Sequence, residues 1–183
     1  MPEEEENLPW TIHSRRVYKG RLVNVRLDNV VIDDGPAKVR EVVEHPGAVL
    51  LLALDDVDNV FLVRQYRHPV GRYLYELPAG TIDEGEEPAA CAERELREET
   101  GFRPRRLESL GGFFLSPGYS NEYIHLFLAT DLEESPLEAA EEEGLTALRL
   151  PLAEALRMIE RREIEDAKSI AALLLLAQRR GVS

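Results

Sequence analysis

Gly80–Phe102, GTIDEGEEPAACAERELREETGF, decides how the rest of the chain is read. It holds eight carboxylates, and four of them fall between Glu93 and Glu99. Pro88 suits a first helical turn, where its missing N–H would be unpaired anyway. Gly101 suits a helix stop. The spacing predicts a helix from Pro88 to Thr100. At about 100° per residue, Glu99 lies about 40° from Glu95 and Glu98 about 60° to the other side. Three carboxylates therefore share one stripe. Leu96, Ala92 and Ala89 form an adjacent apolar stripe that can seat the helix on a sheet. Arg94 can pair with Glu98 at i,i+4 and hold neighbouring acids in place. Ionised carboxylates this close repel unless a cation compensates them. Mg²⁺ suits such a stripe, because it prefers oxygen ligands and shares its shell with phosphate. Taken alone, such a stripe more often marks a solvated acidic face, and the surrounding pattern reverses that reading.

Outward from that helix, the chain of 183 residues has room for one full-sized domain and a small appendage. Residues 1–9 read as a solvated acidic tail. Val23, Val25 and Leu27 alternate with Asn24, Arg26 and Asp28, a strand with one apolar face. Asp33-Asp34-Gly35-Pro36 marks a turn, and Val39–Glu44 a returning strand. Such a small antiparallel sheet is marginal alone and must pack on something. Ala48–Leu54 is a continuous apolar run, as expected of a strand covered on both faces. Strands are expected at Val60–Tyr66, Tyr73–Leu77, Leu107–Leu115, Tyr123–Thr130 and Leu145–Leu150. Pro78-Ala79-Gly80 leads into a loop. Helices are expected at Leu152–Arg162 and Ile164–Arg180, the second with a core face of Ile170, Leu173, Leu174 and Leu175 or Leu176. The expected class is α+β, a mixed sheet between helices over residues 46–183, with a β-rich appendage over residues 1–45.

A formal net charge of −13 argues against a nucleic-acid backbone as partner. No apolar run approaches a membrane span, and the acidic start lacks a secretory core, so a cytoplasmic protein is expected. Cys91 is the single cysteine, and His13, His45, His68 and His125 lack zinc-ligand spacing.

Gly80, five residues, Glu86, seven residues, Arg94-Glu95-Leu96-Arg97-Glu98-Glu99, then Gly101-Phe102, fills every fixed position of the Nudix box. The chain resembles a Nudix hydrolase from about His45 onward. The resemblance implies an α/β/α sandwich with a mixed sheet and divalent-metal-dependent cleavage of a nucleoside diphosphate derivative. It implies Glu95 and Glu99 as metal ligands, with the Ala79 carbonyl, and Glu98 as ligand or water-orienting base. Arg94 would orient the acids. Mg²⁺ is the implied ion, with Mn²⁺ or Zn²⁺ as substitutes.

Pro117, sixteen residues after Gly101 in Ser116-Pro117-Gly118-Tyr119-Ser120, is similar to the marker of ADP-ribose pyrophosphatases. So are Arg40–His45, Gln65-Tyr66-Arg67, Glu76–Gly80 and the preceding appendage. That narrower resemblance implies hydrolysis of ADP-ribose to AMP and ribose 5-phosphate by a homodimer whose appendages help form the pockets. Arg67 would contact the diphosphate or terminal ribose, and Ser116, Pro117 and Gly118 would line the pocket. Arg21, Leu22 and Glu41, with Arg40 a weaker candidate, would hold the adenine. Trp10 and Tyr18 suit base stacking or packing. Glu143 or Glu141, in the acidic run before Gly144, would position the attacking water or a further metal. FAD, NADH, GDP-sugars or triphosphates as substrates, or a non-catalytic module that senses ADP-ribose, remain alternatives.

Overall fold

The computed structural model describes residues 8–136 and 144–181. They form ten strands and three helices, in the order β1 (Trp10–Lys19), β2 (Asn24–Val31), β3 (Lys38–Glu44), β4 (Ala48–Ala53), β5 (Asn59–Arg67), β6 (Arg72–Glu76), β7 (Ala79–Thr81), α1 (Pro88–Thr100), β8 (Phe102–Phe114), β9 (Tyr123–Glu134), β10 (Leu145–Pro151), α2 (Leu152–Glu160) and α3 (Ala167–Arg180). No described helix is long and apolar enough to cross a membrane. The chain divides into two compact units, one of residues 1–46 with 114–123 and one of residues 47–113 with 124–183.

In the first unit, β1, β2 and β3 form an antiparallel sheet in sequence order. β2 lacks the clean apolar face that its alternation suggests. Its most buried residue is Asp28, 5% exposed. The carboxylate survives burial because Ser14 Oγ donates to it at 2.6 Å and Arg26 Nε at 3.0 Å. β1 is longer than expected of a short strand, and all ten of its residues are exposed. Trp10 and Tyr18 are among them, stacking on nothing in the described unit. The 116–121 turn joins this unit through β3. Val43 N–H donates to Tyr119 O at 2.8 Å, and Asn121 N–H donates to Val43 O at 3.2 Å.

In the second unit, β7-β4-β9-β8 form a mixed sheet, β4 antiparallel to β7 and parallel to β9, and β10-β5-β6 form an antiparallel one. The apolar run of β4 is explained by cover on both faces. Val49, Leu51 and Ala53 pack with Cys91, Ala92 and Leu96 of α1 and with Phe127 and Ala129 of β9. Leu50 and Leu52 point the other way by strand alternation, and are fully buried on the side where α3 crosses β4. Burying each such leucine contributes about 1.5–3 kcal/mol.

Three expectations need correction. Ala79–Thr81 is a short strand, β7, which the expected strands leave out: Ala79 pairs with Leu50 and Gly80 with Val49. In α1, Ala89 is exposed and Cys91 takes its place in the buried stripe. A helical wheel gives the angle of Ala89 but not its height, about 10 Å along the axis from Leu96. In α3, Leu174 is 51% exposed and Ile170 only half-buried, whereas Ser169, Ala172, Leu173, Leu176 and Ala177 are buried. That set follows i, i+3, i+4, i+7, i+8 with small residues included, which a search for leucines alone misplaces.

Candidate active site

α1 begins at Pro88 and ends where Gly101 turns left-handed, φ 77°, its N–H donating to Arg97 O. Cys91, Ala92 and Leu96 hold the helix down, which leaves Glu95, Glu98 and Glu99 along one flank. β7 runs beside that flank. Glu99 Oε2 accepts from Ala79 N–H at 3.1 Å. The Glu95 carboxyl lies directly over Gly80, in the space that a Cβ at that position would fill. Gly80 has an ordinary backbone conformation here, so the glycine serves close approach rather than an unusual φ.

Arg94 sits in the middle of the acids. Its Nε and Nη2 donate to Glu86 at 2.9 Å each. Its Nη1 donates to Glu95 at 2.7 Å and to Glu98 at 3.0 Å. These hydrogen bonds, first those to Glu86, push the guanidinium pKa further up. The same pair holds the Glu86 carboxyl well below the usual range, at about 2. Burial pushes the thiol of Cys91 up to about 12, so it stays protonated and inert. Glu95 is 14% exposed and Glu98 38%, so solvent reaches Glu98 more easily than Glu95.

Among the described residues, no three acidic, histidine or cysteine side chains converge on a single point. Arg94 explains this, because the carboxylates splay around its guanidinium. The donor set nevertheless fits a hard divalent cation. The Arg94 guanidinium faces three carboxylates, Glu86, Glu95 and Glu98, all the ligand atoms on offer are oxygens, and two acids, Glu95 and Glu99, lie against the backbone of β7. Turning Arg94 toward Glu86 alone would release Glu95 and Glu98 without unfolding the helix.

Arg67 ends β5 in the same unit. Its Nε and Nη2 donate to Glu76 at 2.7 and 2.8 Å, and Glu99 lies near enough to stabilise its charge. Glu76 is given no role of its own in the sequence, yet among the described residues it is the most buried acid at 1% exposed. The Glu76–Gly80 resemblance includes it but names no partner for it, because Arg67 and Lys168 are distant in sequence from each other. Arg21 and Leu22 are exposed in the β1–β2 turn, and Arg40 and Glu41 are exposed on β3. Ser116, Pro117 and Gly118 form the turn that β3 anchors, Ser116 O accepting from Ser120 N–H at 2.9 Å. The structure thus brings Arg40, Glu41 and the Ser116–Gly118 turn into the first unit. Ala79, Arg94, Glu95, Glu98, Glu99 and Arg67 belong to the second. Glu141 and Glu143 lie outside the described residues.

A family model described as "NUDIX domain" matches residues 44–173. The chain is similar to an ADP-ribose pyrophosphatase of Bacillus subtilis, 38% identical over 91% of both chains. It is also similar to an ADP-ribose pyrophosphatase of Mycobacterium tuberculosis, 42% identical over 90% of this chain and 81% of that one. A crystal structure of an ADP compounds hydrolase superposes with a TM-score of 0.84 at 28% identity, covering 98% of this chain and all of the other.

Proposed function

The chain belongs to the Nudix family, and from that premise we propose that it hydrolyses the diphosphate of ADP-ribose to AMP and ribose 5-phosphate with Mg²⁺ as its ion. One observation carries the proposal: Glu95 and Glu99 are packed edge-on against Ala79 and Gly80, beside Glu98, on a helix flank whose acids outnumber its cations. An ordinary solvated face does not press its carboxylates against backbone. The likeness to two ADP-ribose pyrophosphatases over nine-tenths of the chain supports the choice of substrate.

Glu95 and Glu99, with the Ala79 carbonyl, would hold the divalent ions, and Glu98 would complete the set or act as base. Bound there, such ions supply positive charge to the diphosphate and activate a water. As base, Glu98, more exposed than Glu95, would orient a water and accept its proton. Arg94 keeps the acids apart while no cation is between them and keeps Glu86 ionised. Arg67 neutralises the diphosphate from β5. Arg21, Leu22, Arg40 and Glu41 would hold the adenine, and the Ser116–Pro117–Gly118 turn would border it. Glu141 or Glu143 would approach from the late acidic run. A homodimer through the first unit suits β1, where Trp10, Ile12, Val17 and Tyr18 are exposed together. The division of labour follows: residues 1–45 for dimerisation and nucleoside binding, residues 46–183 for hydrolysis.

The test is product analysis of ADP-ribose incubated with and without Mg²⁺. AMP and ribose 5-phosphate in equal amounts, formed only with the metal, are expected. Intact ADP-ribose beside rapid cleavage of FAD, NADH, a GDP-sugar or a triphosphate would overturn the substrate. Tight binding with no turnover of any of them would return the chain to a sensing role.

A further inference from the structure

Glu76 is a buried ionised group that hydrolysis does not itself require. A carboxylate in such a place is costly unless cations and hydrogen bonds occupy its oxygens. Two cations do. Arg67 grips it with a bidentate fork. Lys168 Nζ donates to Glu76 Oε2 at 2.5 Å and to Asp166 Oδ1 at 2.9 Å. Asp166 is the N-cap of α3: its Oδ2 accepts from Ser169 N–H at 3.0 Å and from Ser169 Oγ at 2.5 Å. Ser169 Oγ in turn accepts from Leu77 N–H at 2.8 Å. Lys168 and Ser169, neighbours on the first turn of α3, therefore clasp Glu76 and Leu77, neighbours on the segment that leads to Ala79.

The four charges sum to nothing, since Asp166 offsets Lys168 as Glu76 offsets Arg67. The clasp contributes orientation rather than field. A carboxylate held by one partner pivots with it. Here Oε2 is shared between Arg67 Nη2 and Lys168 Nζ, so its plane is set by α3. A bidentate fork aligns the guanidinium with that plane. The guanidinium spends Nε and Nη2 on Glu76, which leaves Nη1 as its outward donor, on a side chain that is 38% exposed.

We propose that Lys168 is a positioning residue: it fixes the Glu76 carboxylate and, through it, the direction in which Arg67 presents its outward donors to the substrate diphosphate. This rests on Arg67 being a diphosphate contact, as proposed above. Lys168 itself touches no substrate. Its effect belongs in KM, and it disappears when Arg67 is absent.

The experiment is a double-mutant cycle with ADP-ribose and saturating Mg²⁺, on purified Lys168→Met, Lys168→Arg, Arg67→Gln and the Lys168→Met/Arg67→Gln pair. Lys168→Met should raise KM about tenfold, the worth of one hydrogen bond to a charged group, with a much smaller change in kcat. Lys168→Arg, which keeps a cation in reach of Glu76, should recover most of that loss. In the Arg67→Gln background, Lys168→Met should change KM by less than about twofold. Lys168→Gln replaces Lys168→Met if the latter does not fold. A lowered Tm with unchanged KM would make Lys168 structural only and overturn the proposal. So would two KM effects that multiply. Unchanged KM in Arg67→Gln would overturn both this proposal and the diphosphate role of Arg67, while leaving the hydrolytic assignment intact. Should wild type cleave GDP-mannose and not ADP-ribose, the same cycle run on GDP-mannose decides the role of Lys168 separately from the substrate.

Discussion

Replacing Gly80 by alanine tests the carboxylate cradle with a single methyl group. The added Cβ would overlap Glu95 Cδ and Oε1, far inside the 3.0 Å that real Cβ atoms keep. β7 is paired to β4 through Gly80 and Val49, so the backbone is the stiffer partner. The Glu95 side chain gives way, and it must move by roughly 1.5 Å to regain ordinary contact. That shift strips its hydrogen bond from Arg94, now 2.7 Å. It also exceeds the ~0.2 Å tolerance of a metal–oxygen distance many times over. A misplacement of this size costs about a hundredfold in kcat/KM, close to 2.7 kcal/mol of transition-state stabilisation. The fold should survive, because Gly80 has no left-handed φ to lose and alanine suits a strand at least as well. The assay is steady-state hydrolysis of ADP-ribose across a Mg²⁺ titration, with Tm measured alongside. Lower kcat/KM and a raised Mg²⁺ requirement at near-native Tm are expected. Wild-type turnover with unchanged Mg²⁺ dependence would refute the placement of Glu95 as a ligand.

Glu99→Gln keeps an acceptor for Ala79 N–H but removes the charge. Turnover should fall by about a thousandfold while circular dichroism stays native, and near-normal turnover in purified protein would rule out its role. Acid should destabilise the protein in a defined window. Glu76 is held at about 2 in the fold: burial alone would raise it, and Arg67 and Lys168 outweigh that. Its folded pKa lies below the unfolded value of 4.5, so its stabilisation is complete above pH 4.5 and is lost as pH falls toward 2. Glu76→Gln should lower stability by ~3 kcal/mol at neutral pH and flatten the urea midpoint between pH 5 and 3. In α3, Leu173→Ala should cost about 2–5 kcal/mol and Leu174→Ala less than about 0.5, read from urea midpoints; equal losses would contradict the buried face described here.

Where local chemistry dictates structure, the sequence was readable. Pro88 and Gly101 bracket α1 to the residue because each suits one helix end and no interior position. Ala48–Leu54 could be read as a strand covered on both faces because seven consecutive apolar residues have no exposed side to spare, and β4 fills its first six positions. Arg94 with Glu98 was legible because i,i+4 neighbours must meet on any helix. β7 was not legible. Three residues with a central glycine carry no period, and only the antiparallel contact with β4 makes them a strand. The burial of Asp28 was not legible either, because alternation gives a face but not what covers it.

The order of strands and helices apart from β7, the three-carboxylate stripe and the family were legible in sequence alone, since each rests on spacings within about twenty residues. Only the tertiary structure decided that Glu86 is the main partner of Arg94, that Gly80 makes room for the Glu95 carboxyl, and that Lys168 reaches Glu76. Lys168 and Glu76 are 92 residues apart. A contact at that separation is created by the packing of α3 against the sheet, and nothing in the local residue pattern at either end encodes it.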